Sequence, residues 1–266
     1  MNNWPHPAGT ATTSLIFPTY NPGPMLQKTW LAVKQFLEQS SGNWEVVFVC
    51  DGCTDGSSAR LQEWTASHAD RVRVLSYAPN RGKGYAVRCG LAAARGQWRL
   101  FTDVDLAYGF DDIERVAEAL RNGAAAAIAS RRHPDSTMLI PARLLSYVYR
   151  RHVQSLVFSW LVRRMLALKQ RDTQAGLKGL SAEAARRLLP QLTCDGFGFD
   201  CELLAVAAHL GVPVVEVPVC VRLEDHASTT SLTTLAAMLG EVWQIRGARK
   251  HLEDSPAAVV TGRRAA

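Results

Sequence analysis

No stretch of this 266-residue chain stays apolar for long. A helix that crosses a bilayer needs about 18 or more nearly uninterrupted apolar residues. The nearest approach, Leu144 to Leu168, is broken by Arg150, Arg151, His152, Arg163 and Arg164. Met1 to Thr10 is polar and proline-rich, with no basic region leading into an apolar core, so it does not read as a signal peptide. The expectation is a protein that is cytoplasmic, soluble or peripheral on the cytoplasmic membrane face. Paired metal-binding cysteines are also missing. The six cysteines are scattered, and the one C-x-x-C, Cys50 to Cys53, has no second pair to complete a zinc site. Buried or incidental thiols in a reducing compartment are the expected reading. The seven histidines form no cluster with ligand spacing, and only His226 merits a test. There is no internal repeat and no linker rich enough in Pro, Gly or Ser to split the chain.

What is present is a globular composition, 47% hydrophobic and 20% charged, with a net charge of +6. Such a chain buries a sizeable core and favours anionic partners. No RNA-binding aromatic signature or recognition helix accompanies the charge, so nucleic acid is not an expected partner. Strand-like and helix-like segments alternate. Ser14 to Pro18, Glu45 to Cys50, Arg71 to Tyr77, the run ending at Thr102, and Ala124 to Ser130 read as strands; Pro24–Gln39, Ser57–His68, Gly84–Ala94 and Asp111–Arg121 read as helices. This rhythm predicts an α/β fold with a mostly parallel sheet and helices on both faces. The second half is less regular. It has a basic amphipathic stretch (Pro141 to Lys169), a Gly-rich segment (Asp172 to Gly179), helices Ala182–Leu189 and Asp200–Leu210, strand Val214–Val221, and a last helix, Thr230–Arg246. One domain over residues 1–248 is expected, followed by a flexible tail over 249–266.

Asp103-Val104-Asp105 follows the strand-like run Trp98 to Thr102. Carboxylates at the carboxyl end of such a strand face the ligand crevice of an open α/β sheet. Two of them one residue apart suit a hard divalent cation, Mg²⁺ or Mn²⁺, shared with substrate phosphates. Three other loops follow the preceding strands. Pro18-Thr19-Tyr20-Asn21 comes first. Next is Asp51-Gly52-Cys53-Thr54-Asp55-Gly56, where Asp51 could accept from a base N–H or a ribose hydroxyl. The third, Asn80-Arg81-Gly82-Lys83-Gly84, pairs glycines with cations at a helix N-terminus, which suits a diphosphate. It is not a Walker A loop. Any one of these is an ordinary turn; the four in order are hard to attribute to chance.

In these loops the chain resembles the family 2 glycosyltransferases of the GT-A fold, with a Rossmann-like, mostly parallel central sheet. Two further motifs, Asp172-Thr173-Gln174-Ala175-Gly176-Leu177-Lys178 and Gly196-Phe197-Gly198-Phe199-Asp200-Cys201-Glu202, resemble the polyprenyl-phosphate (dolichyl-phosphate) hexosyltransferase branch. The likeness runs from about Ser14 to Val221. It implies a donor-binding half over about 12–130 and an acceptor-side half over about 131–248. Pro18, Thr19, Tyr20, Asn21, Asp51, Asn80, Gly82, Lys83, Asp103, Val104 and Asp105 would bind the donor, a UDP-sugar rather than a GDP-sugar. Asp103 and Asp105 would hold the metal. The segment from Asp172 to Lys178 would line the acceptor side, and Asp200 and Glu202 would lie near the sugar. The chain departs from the family pattern where Pro22 replaces an acidic residue, Cys50 an Asp and Cys53 a Ser, and after the last strand, where Arg222 and His226 stand in place of a basic residue and a Gly-Ser-Lys-type segment.

The acceptor decides the chemistry. A sugar hydroxyl requires a general base, for which Asp172, Asp200 or Glu202 is the candidate. A lipid phosphate is already ionised and needs cations instead. Arg131, Arg132, Arg143, Lys178 and Arg222, with Gln174, are the candidates for that role. Asp105 and Lys178 complete the catalytic set. The stretch from Pro141 to Lys169 interleaves Leu144, Leu156, Trp160 and Leu161 with Arg143, Arg150, Arg163 and Arg164, as membrane-surface helices do. The expected activity is therefore inverting transfer of a hexose, of glucose or mannose type, from a nucleotide diphosphate sugar to a polyprenyl phosphate. A soluble transferase acting on a hydroxyl and an inactive nucleotide-sugar-binding homologue are the alternatives. A nucleotidyltransferase would carry a Gly-rich basic loop after the first strand, where this chain has Pro18-Thr19-Tyr20-Asn21.

Overall fold

The β-branched run Val46-Val47-Phe48-Val49 is buried throughout, as a strand covered on both faces must be. It lies in β2 (Trp44–Asp51) of a computed structural model that describes residues 12–40, 42–139, 145–222 and 232–254. The remaining elements of the first half are β1 (Thr13–Thr19), α1 (Met25–Gln39), α2 (Ser57–Thr65), β3 (Val72–Tyr77), α3 (Lys83–Ala93), β4 (Trp98–Phe101), α4 (Phe110–Arg121) and β5 (Ala126–Ser130). The second half adds β6 (Thr137–Leu139), α5 (Leu145–Leu166), β7 (Lys178–Ser181), α6 (Ala182–Leu188), α7 (Phe199–His209), β8 (Val214–Pro218), β9 (Cys220–Arg222) and α8 (Leu232–Asp254).

The main sheet has the order β3-β2-β1-β4-β7-β5-β8. All its pairings are parallel except those of β7, which runs antiparallel to both β4 and β5. β6 and β9 form a separate parallel pair. Alternation along the strands splits the core. Leu15, Phe17, Val46 and Phe48 pack under α1, α2 and α4. Ile16, Val47, Val49 and Phe101 pack under α3, α6 and α7. Each fully buried side chain of this size contributes about 1.5–3 kcal/mol. A third cluster joins Phe158, Val162 and Leu166 of α5 to Met238, Val242 and Ile245 of α8 and to Leu204 of α7.

The reversed strand is what shapes the site. β7 pairs Lys178 with Phe101, the last residue of β4. The segment entering β7 therefore arrives at the same sheet edge as the segment leaving β4, which brings the Asp172 motif to the Asp103 motif. The sequence reading took Lys178 and Gly179 as part of a Gly-rich segment rather than a strand. Its strand Val214–Val221 is two, β8 and β9, and its basic amphipathic stretch is helical over Leu145–Leu166, with 140–144 outside the described residues. The final helix continues to Asp254, so the tail expected from residue 249 is helical at its start. Residues 255–266 lie outside the description.

Candidate active site

The loops after β1 and β2 are knitted together by Asn21, whose backbone has a positive φ of 41°. Its side-chain oxygen accepts from the Thr54 amide at 2.8 Å, and its Nδ2 donates to Thr54 Oγ1 at 3.2 Å. Asp55 returns the tie by accepting from the Gly23 amide at 3.1 Å. Thr19 is buried and turned back on the Phe17 carbonyl, Pro18 is half-buried, and Tyr20 is exposed. Asp51 ends β2 with 2% exposure. Its carboxylate accepts from the Arg81 amide at 2.7 Å, the Gly82 amide at 2.8 Å and Asn80 Nδ2 at 2.8 Å. Asp51, read from sequence as a contact for base or ribose, organises the third loop.

That loop packs backbone to backbone on the segment before α7. A Cβ at Gly82 would overlap the Asp195 carbonyl oxygen, and one at Gly84 the Cys194 carbonyl oxygen. Gly82 also has a φ of 107°, a conformation that only glycine adopts without strain. Lys83, which opens α3, reaches two carboxylates: Asp103 at 2.7 Å and Asp200 at 3.4 Å. Asp200 in turn binds Lys178 at 2.6 Å. The four side chains alternate in charge from the open crevice to the core. Burial works against the charge on Lys83, but Asp103 and Asp200 outweigh it and raise its pKa. Burial alone would raise the pKa of Asp200; the two ammonium groups hold it below the usual carboxylate range.

The Asp103-Val104-Asp105 turn is pinned to α1 by Thr29, whose hydroxyl donates to the Val104 carbonyl at 2.5 Å. Asp105 is exposed. One of its oxygens accepts from the Ala107 amide at 3.1 Å, and the other has no hydrogen-bond partner among the described residues. Desolvation in the crevice and the neighbouring Asp103 charge raise its pKa. Gly176 abuts Asp103 so closely that a Cβ there would overlap the carboxylate. Two oxygen-donor carboxylates at the rim fit a hard divalent cation that takes its other ligands from phosphate and water. Among the described residues no third Asp, Glu, His or Cys joins them.

The candidate bases are all engaged. Asp172, 2% exposed, takes a forked pair from Arg131, Nε at 2.7 Å and Nη2 at 2.9 Å. Burial would raise the Asp172 pKa; the Arg131 guanidinium lowers it. Glu202 is buried and accepts from the Thr193 amide, the Thr193 hydroxyl at 2.8 Å and the Cys194 amide at 2.9 Å. In this arrangement it clamps the loop before α7. Lys178, read from sequence as an acceptor-phosphate cation, is 0% exposed, with its ammonium on Asp200 and the Ala175 carbonyl. It acts on Asp200 and presents nothing to a bulky acceptor. Arg132 turns toward α5 and the Ser155 carbonyl at 3.0 Å. The Gln174 amide donates to Asp172 at 3.3 Å. Arg143 and His226 lie outside the described residues, as does the side chain of Arg222 at the end of β9.

Sequence reasoning missed several supports. Glu216 of β8 accepts from the Arg171 and Asp172 amides. Asp195 pairs with Arg88, which also donates to the Leu192 and Cys194 carbonyls. Glu241 of α8 accepts from the Gly198 amide. The glycines at 196 and 198 signalled a close approach, but nothing local named the partner.

Residues 14–188 match the family model described as glycosyl transferase family 2. Over 218 residues the chain is 34% identical to the dolichyl-phosphate beta-glucosyltransferase of Drosophila melanogaster, covering 77% of this chain and 65% of that one. Its Saccharomyces cerevisiae counterpart is 30% identical over 225 residues, with the same shares covered. The chain thus spans about two-thirds of the length of these relatives. Among solved structures, glucosyl-3-phosphoglycerate synthase from Mycobacterium tuberculosis, in complex with Mn²⁺, uridine-diphosphate-glucose and phosphoglyceric acid, superposes with a TM-score of 0.60. It is 18% identical, with 90% of this chain and 80% of that one covered. At that identity the likeness speaks for the fold alone.

Proposed function

The chain belongs to glycosyl transferase family 2 and has its GT-A fold, and on that premise we propose that it transfers a hexose, glucose foremost, from a UDP-sugar to a polyprenyl phosphate of the dolichyl type. One observation carries the choice of acceptor. Asp172, Asp200 and Glu202, the carboxylates available as a general base, all have their oxygens spent on Arg131, on Lys83 and Lys178, or on backbone amides. A hydroxyl acceptor would need one of them free. A phosphate arrives with its nucleophilic oxygen already ionised, so no proton has to be removed. The names of the 34% and 30% identical relatives agree with this acceptor.

In this reading Asp51 and the loop it organises receive the nucleotide, and Lys83 stands beside the diphosphate. Asp105, with Asp103, would hold Mg²⁺ or Mn²⁺, which when bound neutralises charge growing on the leaving diphosphate. Arg131, fixed by Asp172, offsets repulsion between the two anionic substrates. Inversion follows if the phosphate oxygen attacks opposite the leaving group. No helix among the described residues is long and apolar enough to cross a membrane. The acceptor would be met at a surface, where α5 offers Leu156, Val157 and Trp160 at 41%, 61% and 60% exposure and α8 offers Trp243 at 67%. The Arg163 and Arg164 side chains accompany them, a composition suited to an anionic lipid interface.

Radiolabelled UDP-glucose, Mn²⁺ and a polyprenyl phosphate in detergent micelles test the proposal. Labelled, chloroform-soluble, acid-labile glycolipid is the expected product. Transfer to a soluble sugar alcohol without detergent, and none to the lipid phosphate, would sink it.

A further inference from the structure

Glu241 sits on α8, outside the 14–188 segment that matches the family model, yet its carboxylate reaches the start of α7. Oε2 accepts from the Gly198 amide at 2.5 Å and lies 3.8 Å from Cys194 Sγ. A Cβ at Gly196 would overlap Oε1, and one at Gly198 would stand 2.8 Å from Oε2. The two glycines around Phe197 therefore leave a recess that this carboxylate fills.

The contact falls at a consequential place. Gly198 is the residue before the first turn of α7, and its own side offers no capping side chain. A helix N-terminus carries unpaired amides and partial positive charge, so a carboxylate supplied from elsewhere suits it. Two residues on is Asp200, which holds Lys83 on one oxygen and Lys178 on the other. Lys83 meets Asp103. A shift of the α7 start would move Asp200, and Lys83 with it. At the other end, α8 is packed on α5 through Met238, Val242 and Ile245.

We infer that Glu241 is a positioning residue for the transfer reaction, setting the start of α7, and so Asp200 and Lys83, from the α5–α8 pair. Glu241 touches no substrate; it fixes what Lys83 and Asp103 present to one, and it links that geometry to the helices offered to the lipid surface. The inference rests on the proposed transfer for its kinetic readout but not for its structural one.

The test compares the full chain with Glu241→Ala and Glu241→Gln. The glutamine keeps an oxygen that accepts the Gly198 amide hydrogen. With polyprenyl phosphate in micelles, Glu241→Ala should lose roughly tenfold to a hundredfold in kcat, since small displacements of a positioned group cost that much. Its KM for UDP-glucose should stay within about twofold, and Glu241→Gln should recover most of the loss. Amide hydrogen exchange over Cys194 to Cys201 should quicken about tenfold in Glu241→Ala and little in Glu241→Gln. Wild-type kcat in Glu241→Ala, unchanged exchange there, or equal impairment of both variants with a general loss of thermal stability would overturn the inference. If the wild-type chain transfers nothing, the proposed acceptor fails, and the exchange measurement still decides whether Glu241 holds the loop.

Discussion

Lys83 donates to Asp103 across 2.7 Å where the loops leaving β3 and β4 meet. One cation thereby ties the carboxylate rim to the buried pair behind it, because the same ammonium reaches Asp200 at 3.4 Å. The rim carboxylate keeps 41% of its side chain exposed, while Asp200 keeps 8%. Asp103 is open to solvent, whereas Asp200 is enclosed with Lys83 on one oxygen and Lys178 on the other. A diphosphate and its cation arriving at the rim would therefore exchange partners with Lys83 rather than meet a free acid.

Replacing Lys83 with methionine separates these roles. The length is kept and the charge removed. Turnover should fall by roughly a hundredfold, the scale for deleting one fixed electrostatic group at a site of charge development. Asp103, freed of its ammonium, should at the same time bind Mn²⁺ more tightly in the absence of nucleotide, as measured by calorimetry. Tighter ion binding with full turnover would show that Lys83 only competes with the metal.

The parallel half was legible in the sequence because each strand there is a compact apolar run and each loop after it lands on one edge. Pro18 to Asn21, Asp51 to Gly56, Asn80 to Gly84 and Asp103 to Asp105 come together for that reason alone. β7 was not legible. Lys178-Gly179-Leu180-Ser181 has no strand periodicity, and a lysine at 0% exposure runs against composition-based expectation. Only its pairing with Phe101 explains why Gly176 abuts Asp103. Glu202 and Asp172 looked like bases since sequence shows a carboxylate but not what already binds it. Glu241 was hidden for a similar reason: its partner is a backbone amide, and a backbone amide leaves no mark on residue type.

Glu202→Gln distinguishes a clamp from a base. The carboxylate accepts from Thr193 and Cys194 on both oxygens. An amide turns one acceptor into a donor facing those N–H groups. The expected cost is about 1–3 kcal/mol in urea unfolding. The pH–rate profile should keep its shape. Loss of its acidic limb in the variant would mean that Glu202 takes a proton from the acceptor after all.

The Arg131–Asp172 pair gives a pH-dependent stability. The folded pKa of Asp172 is lowered: burial opposes its charge, and the guanidinium more than compensates. A depressed carboxylate contributes stability above its unfolded value of about 3.9, and the contribution fades as pH falls through the lower folded value. Arg131→Met should therefore cost about 3 kcal/mol at pH 7, the low end for breaking a buried pair because Arg131 is one-third exposed. The difference from wild type should shrink toward pH 3. A gap in unfolding free energy that stays constant from pH 7 to pH 3 would contradict the linkage.

Cys50 and Cys53 flank the Asp51-Gly52 turn and shift each other's acidity in opposite directions. The neighbouring Cys50 thiol lowers the Cys53 pKa to about 7 against the effect of burial, while Cys50 is raised by Cys53 and by its own burial. Cys53 is half-buried and Cys50 buried, so access follows the same order as acidity. Iodoacetamide should label one thiol first, with a rate midpoint near pH 7, and peptide mapping should find it at Cys53. The Cys53 thiol also donates to the Thr19 carbonyl at 3.3 Å, between the two loops that Asn21 joins. An added carboxamidomethyl group would separate those loops, so labelling should weaken UDP-glucose binding, and saturating nucleotide should slow labelling. Cys53→Ser should remove the fast phase, with the hydroxyl donating in place of the thiol and donor binding intact. Fast labelling at Cys50 instead would reverse the assignment, because the more accessible and more acidic thiol of the pair reacts first at neutral pH.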